Sequence, residues 1–213
     1  MSDRQLTDRR RHHLRRRDRR VVTEKKLSGN FTALARGRRP QDAGPMSLYE
    51  ITIPQFKNTL TQIEKWLDAA VAYATAKGFD PNVLLESRLY PDQYALVRQI
   101  QSACDSAKLT PARLTGKEPP KHPDVEKTID ELRTRLHTVL SYLDTFSVSD
   151  FAGSAERKIE LLFLPGKFMV AADYVSQLQL PNFYFHASHA YAILRHNGVP
   201  LGKPDFVGNL TLH

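Results

Sequence analysis

Apolar residues after Thr52 recur at three- and four-residue steps: Phe56, Leu60, Ile63, Leu67, Ala70 and Ala74. That spacing puts one stripe on one face, so a helix is expected from Thr52 or Ile53 to about Lys77. Pro54 suits its first turn and Gly78 its C-cap. Pro91 and Asp92 open a second period, DQYALVRQIQSACDSAKL, with Tyr94, Val97, Ile100 or Gln101, and Cys104 facing inward. Thr110-Pro111 and GKEPPKHPD read as a proline-rich break. Asp124 is the expected cap of a third helix running to about Thr145, with Ile129, Leu132, Leu136, Val139, Leu140 and Leu143 as its buried stripe. KIELLFLPGKFMVAADY reads as a small hairpin, because Pro165-Gly166 supplies the fixed φ and the positive φ of a type II turn. DYVSQLQ then makes a short helical turn up to Pro181. NFYFHASHAYAILRHN is the last helix, closed by Gly198, and the tail after Gly202 is irregular. The expected fold class is all-α, mainly: a four-helix bundle with a small β-hairpin before the last helix.

Charge divides the chain more sharply than hydropathy does. Residues 1–45 carry fourteen Lys and Arg against five Asp and Glu, and residues 46–213 carry 17 against 18. The net charge of +8 therefore belongs to the N-terminal segment. The domain over 46–213 has no field to attract phosphates, so no nucleic-acid partner is expected for it. Residues 1–45 have few large apolar side chains and no period, which predicts a disordered basic extension. It can be read as a localisation or nucleic-acid-binding arm, as a mitochondrial presequence, or as non-native translation upstream of a true start at Met46. The acids Asp3, Asp8, Asp18 and Glu24 within it disfavour the presequence. Met46-Ser-Leu-Tyr-Glu reads like a natural domain start, which favours the third. One cysteine excludes an internal disulfide, and no apolar run is long enough for a membrane span. A cytoplasmic location is expected, or a nuclear one if the basic extension is native.

The most specific stretch is LPNFYFHASHAYAILRHNGVPLGKPDFVG. With YPDQYALVRQIQSACDSAKLTPARLTG and SLYEITIPQFKNTLTQIEKWLDAA, it resembles the DUF1993 family, a domain of unknown function among the DinB/YfiT-like four-helix bundles. The resemblance spans nearly all of 46–213 and none of 1–45. It implies a bundle with one long crossover between the second and third helices, and a homodimer. Some relatives are thiol-dependent transferases or isomerases that hold a metal on one histidine of the second helix and two of the last, four residues apart. Here the last helix has His186, but Ala190 stands four residues on. His189 is one residue early, and the second helix offers Gln99. An amide is a poor ligand beside imidazole, so no metal site and no cofactor are expected.

His186, His189 and Gln99 are the candidate catalytic residues, and Tyr184, Tyr191 and Arg195 the candidate ligand contacts. His137 and His196 read as structural, and Cys104 as a small buried hydrophobe. Phosphate-loop glycines, a dinucleotide fingerprint, a serine elbow and a thiolate zinc cluster are all missing, which removes phosphoryl, hydride and acyl-enzyme chemistry. Three functions stay open. The first is small-molecule binding at one end of the bundle, with metal-independent acid/base chemistry at His186 (an isomerase, cyclase or transferase). The second is a non-catalytic or dimerising bundle, and the third a metal-dependent thiol transferase. The environment of His186 decides between them: a base lines a reachable cavity, whereas a structural histidine is enclosed with both nitrogens satisfied.

Overall fold

Ser47 starts the first helix. Its hydroxyl accepts from the Glu50 amide at 3.3 Å, and the Glu50 carboxylate accepts from the Ser47 amide at 2.7 Å. This capping box satisfies two amides that a helix end otherwise leaves bare. The computed structural model describes residues 46–212, and the expectations for residues 1–45 lie outside it. Because of the box, α1 spans Leu48–Lys77 and begins a full turn before the expected start. Pro54 therefore sits inside the helix and not in its first turn. Gly78 closes α1 in the left-handed region (φ 74°), as its sequence position predicts.

The second helix, α2, spans Leu96–Thr115. It starts later than expected, because Pro91–Gln93 form a turn closed by the Gln93 amide on Tyr90 O. It also runs straight through Thr110-Pro111. The proline removes one ladder bond, but Pro111, Ala107 and Leu114 are buried in the bundle, and that packing outweighs the local penalty. Gly116 (φ 83°) ends it. The third helix, α3, spans Ile129–Leu143 and is capped by Thr128 and Glu131 in a second capping box. Asp124 is not its cap. That carboxylate instead ion-pairs with Arg98 and Arg135.

The hairpin forms as the sequence predicts. Strand β1 (Lys158–Glu160) pairs antiparallel with β2 (Phe168–Val170), with Ile159 opposite Met169. Gly166 at φ 77° makes the turn. Helix α4 (Ala171–Asp173) runs into a π-helical stretch, Tyr174–Gln179, and then into α5, Leu180–His196. The wider π turns accommodate Pro181, which cannot donate back into the ladder. The helix thus continues where a break before Pro181 was expected. The C-terminal tail is not irregular throughout. Lys203–Val207 form α6, and Asp205 O accepts from the Trp66 indole at 2.9 Å while Phe206 stacks on that ring.

Helices α1, α2, α3 and α5 make a four-helix bundle, in which α1 and α2 each pack against the other three. Phe56, Leu60, Ile63 and Trp66 of α1 meet Leu96, Ile100 and Cys104 of α2, Leu132 and Leu136 of α3, and Phe183 and Ala187 of α5 in one core. The long connection between α2 and α3 is held by a buried cation. Arg135, on α3, donates to Glu126 at 2.9 Å and Asp105 at 2.7 Å, and pairs with Asp124 at 2.9 Å. Lys108 lies beside it, 2.9 Å from Asp105 and 3.0 Å from His122 Nδ1. Burial and the Lys108 charge hold His122 below the ordinary histidine range. Its ring is therefore neutral and Nδ1 can accept from the ammonium.

Candidate functional site

Gln99 and His186 sit on facing turns of α2 and α5. The Gln99 amide nitrogen donates to Tyr94 O at 3.2 Å, which points its oxygen at His186 Nδ1, 2.8 Å away. An amide oxygen only accepts, so Nδ1 carries the proton and the other ring nitrogen, Nε2, keeps its lone pair. Among the described residues Nε2 has no hydrogen-bond partner. Nor is it one of the enclosed side-chain atoms left without one. Burial first, then the charges of His189 and Arg98, depress the His186 pKa, so the imidazole is neutral at pH 7. The Tyr94 ring lies parallel to it (11°, centroids 6.3 Å apart), and the Arg98 guanidinium lies 5.7 Å from the Tyr94 centroid.

His186 lines a polar cleft of about 260 Å³ between α2 and α5. Its α2 wall carries Arg98, Ser102, Asp105, Ser106 and Arg113 at helical spacing, with Tyr94 just ahead of the helix. Gln179, the last π-helical residue, and Asn182, in the first turn of α5, stand on the other wall. Asn182 donates to Ser106 Oγ at 2.8 Å, and Ser106 in turn donates to Ser102 O at 3.0 Å. Arg113 donates to the buried Tyr174 hydroxyl at 2.5 Å. The cleft therefore offers hydroxyl, amide and guanidinium groups and the Asp105 carboxylate beside one neutral imidazole.

The other predicted residues are not brought to this cleft. His189, a turn further on, is half-buried; its Nδ1 donates to Phe185 O at 2.7 Å and its ring rests on Phe185. Tyr184 faces α1, donating to Gln55 Oε1 at 3.0 Å. Tyr191 packs edge-on against Trp66 and Phe206. Arg195 is exposed near the end of α5. Tyr94, expected to point inward, is more than half exposed at the mouth of the cleft. His137 is exposed and pairs with Glu64 at 2.5 Å. Ser102, Ser106 and Asn182 were not singled out from sequence, although the polar spacing along α2 marks that face.

A match over residues 48–207 to the model of DUF1993, described as a domain of unknown function, covers most of the chain. The chain belongs to the DUF1993 family. The solved structure of a DinB family member protein from Shewanella denitrificans is 45% identical, with a TM-score of 0.76, over 78% of this chain and 94% of that one. None of the curated proteins matches this chain. DUF1993 membership and the DinB likeness agree on the helical bundle and assign no reaction.

The DinB likeness raises the three-histidine metal centre of some relatives, and the donors here do not fit it. Gln99 presents an amide where the second-helix histidine would stand, and its oxygen is occupied by His186 Nδ1–H. Ala190, four residues beyond His186, is fully buried and has no donor. Among the described residues no group of three or more His, Cys, Asp and Glu is placed to hold a metal ion. No helix among them is long and apolar enough to cross a membrane.

Proposed function

We propose that this DUF1993 bundle binds a polar small molecule in the cleft between α2 and α5, with His186 Nε2 as its hydrogen-bond acceptor or general base. The observation that carries the reading is the Tyr94–Gln99–His186 relay. It fixes the ring orientation and the tautomer, and it leaves the basic nitrogen without a protein partner at a reachable surface. A purely structural histidine would have both nitrogens satisfied. An imidazole with a depressed pKa is fully in its base form at pH 7, which suits proton abstraction from a substrate held a hydrogen bond away. Ser102, Ser106 and Asn182 supply donors and acceptors for hydroxyl or carbonyl groups, and Tyr94 supplies a stacking face. A metal-dependent transferase is the weaker reading, because the donor set offers one unhindered imidazole nitrogen and an amide.

The test is a screen of polar metabolites against the full chain, read by ligand line broadening. Hits should lose binding in Ser102→Phe, which fills the cleft, and weaken about tenfold in His186→Gln. Hits that bind the plugged variant as well as the wild type would refute the assignment of the cleft.

A further inference from the structure

The hairpin ends in an apolar knob. Leu162 is 82% exposed, Phe163 65%, Leu164 49% and Phe168 50%. The knob is not slack. Leu164 N donates to Leu161 O at 2.9 Å and Lys167 N to Leu164 O at 3.0 Å, so two successive turns hold it. Lone exposed apolar residues need no explanation, but four together on a rigid protrusion do. About the start of α5 lies the complement: an open apolar groove of about 370 Å³ formed by Leu178, Pro181 and Phe185, with Gln177 and Asn182 at its edges. Phe185 is 52% exposed there.

We propose that the hairpin knob of one chain seats in the Leu178–Pro181–Phe185 groove of a second copy, and that the reverse contact closes a two-fold dimer. Knob and groove are both present on the same chain; the groove is open and the knob carries only the Lys158 ammonium, 4.6 Å from the Phe168 ring centroid, so a reciprocal interface has both its halves. The areas are sufficient. The knob side chains and Phe185 expose on the order of 500 Å² per chain, so two copies hide on the order of 1,000 Å², the threshold of a specific interface. The charges also match. Lys167 at the base of the knob forms no ion pair among the described residues. Asp173 beside the groove has no basic partner among them, and its carboxylate accepts only from Gln177, at 3.0 Å. Asn182 borders both the groove and the polar cleft, and Phe185 meets His186 edge-on at 5.3 Å. The partner's hairpin would therefore wall the cleft on the His186 side. The dimer contact does not depend on what the cleft binds.

Sedimentation velocity of the full chain across a micromolar concentration series should show a dimer and no larger species. Phe163→Asp should weaken association on the order of 30-fold or more while leaving the circular dichroism melt unchanged, because the side chain lies outside the core. Cys104 is fully buried, so introduced cysteines report cleanly. Mixed Phe163→Cys and Phe185→Cys chains should form a disulfide between unlike chains on mild oxidation, and Phe163→Cys alone should not. A wild type that stays monomeric, an unaffected Phe163→Asp dimer, or efficient crosslinking of Phe163→Cys to itself would overturn the proposal. So would a monomer that co-floats with anionic phospholipid vesicles through the hairpin.

Discussion

Replacing Arg135 by methionine should destabilise the bundle far more than a typical substitution on a helix. The guanidinium is almost entirely buried, its side chain 1% exposed, and it faces Asp105, Asp124 and Glu126. Removing one partner of a buried ion pair costs about 3–5 kcal/mol, because the other charge is left without compensation. Two of the three carboxylates keep a cation: Asp105 retains Lys108 and Asp124 retains Arg98. Glu126 retains the Gln101 amide, at 2.8 Å, and no cation. The loss should therefore lie at the low end, about 3 kcal/mol, or roughly 6–12 °C in Tm for a domain of this size. Urea unfolding followed by far-ultraviolet circular dichroism measures it. Arg135→Met/Glu126→Gln should recover at least about 1 kcal/mol of it, because the orphaned carboxylate is then gone. Burial alone would raise the Asp124 and Glu126 pKa values, but hydrogen bonds from Arg98 to Asp124 and from Arg135 to Glu126, with the Arg135 charge acting on both, outweigh it and hold both below the usual carboxylate range. Their contribution is therefore present above about pH 4 and lost as pH falls through the lowered values. An Arg135→Met loss under about 0.5 kcal/mol, the size of a surface change, would refute the clamp.

Cys104 should resist thiol reagents in the native state, since burial pushes its pKa up to about 12; a chromogenic disulfide should react only after denaturant is added. Gly198→Ala should cost about 1–2 kcal/mol, read as a lower Tm, because φ is 92° and the new Cβ would stand 2.5 Å from the Tyr73 hydroxyl. A chain beginning at Met46 should melt within about 2 °C of the full chain and bind neither DNA nor RNA at submicromolar levels, given its 17 basic and 18 acidic groups. A large loss of cooperative melting, or salt-dependent binding by the shorter chain, would contradict those expectations.

The helical stripes were legible because they are periodic. Phe56 to Ala74 and Ile129 to Leu143 recur at the helix repeat, and nearly all of these side chains are buried. Boundaries were less legible, because they depend on particular contacts. The Ser47–Glu50 box moved one start earlier, and tertiary packing carried α2 through Pro111 and the last helix through Pro181. The pairing of His186 with Gln99 was only partly readable. The sequence marked both as polar among apolar neighbours, but 87 residues separate them. That they share a hydrogen bond follows from how α2 and α5 face each other. The cleft's hydroxyls and the Arg135 clamp were illegible for the same reason. Serines on an amphipathic helix, and an arginine beside a leucine stripe, look like solvent-facing residues until the partners are in place. Tyr184 and Tyr191 share the last helix with His186 but lie on faces turned to α1 and α6.

The protonation state of His186 tests the central claim most directly. Ring-nitrogen resonances of histidine-labelled protein, assigned by loss of one set in His186→Gln, report which nitrogen carries the proton and where the ring titrates. Nδ1 should appear protonated and Nε2 bare at pH 7, with the titration below the usual value near 6.5. The depressed pKa means the folded state takes up its proton later than the unfolded one, so the stability it contributes is full above about 6.5 and declines as pH falls through the folded value. Gln99→Leu, which removes the acceptor, should mix the tautomers. A ring protonated on Nε2, or charged at pH 7, would contradict the account, because His186 would then present no base to the cleft.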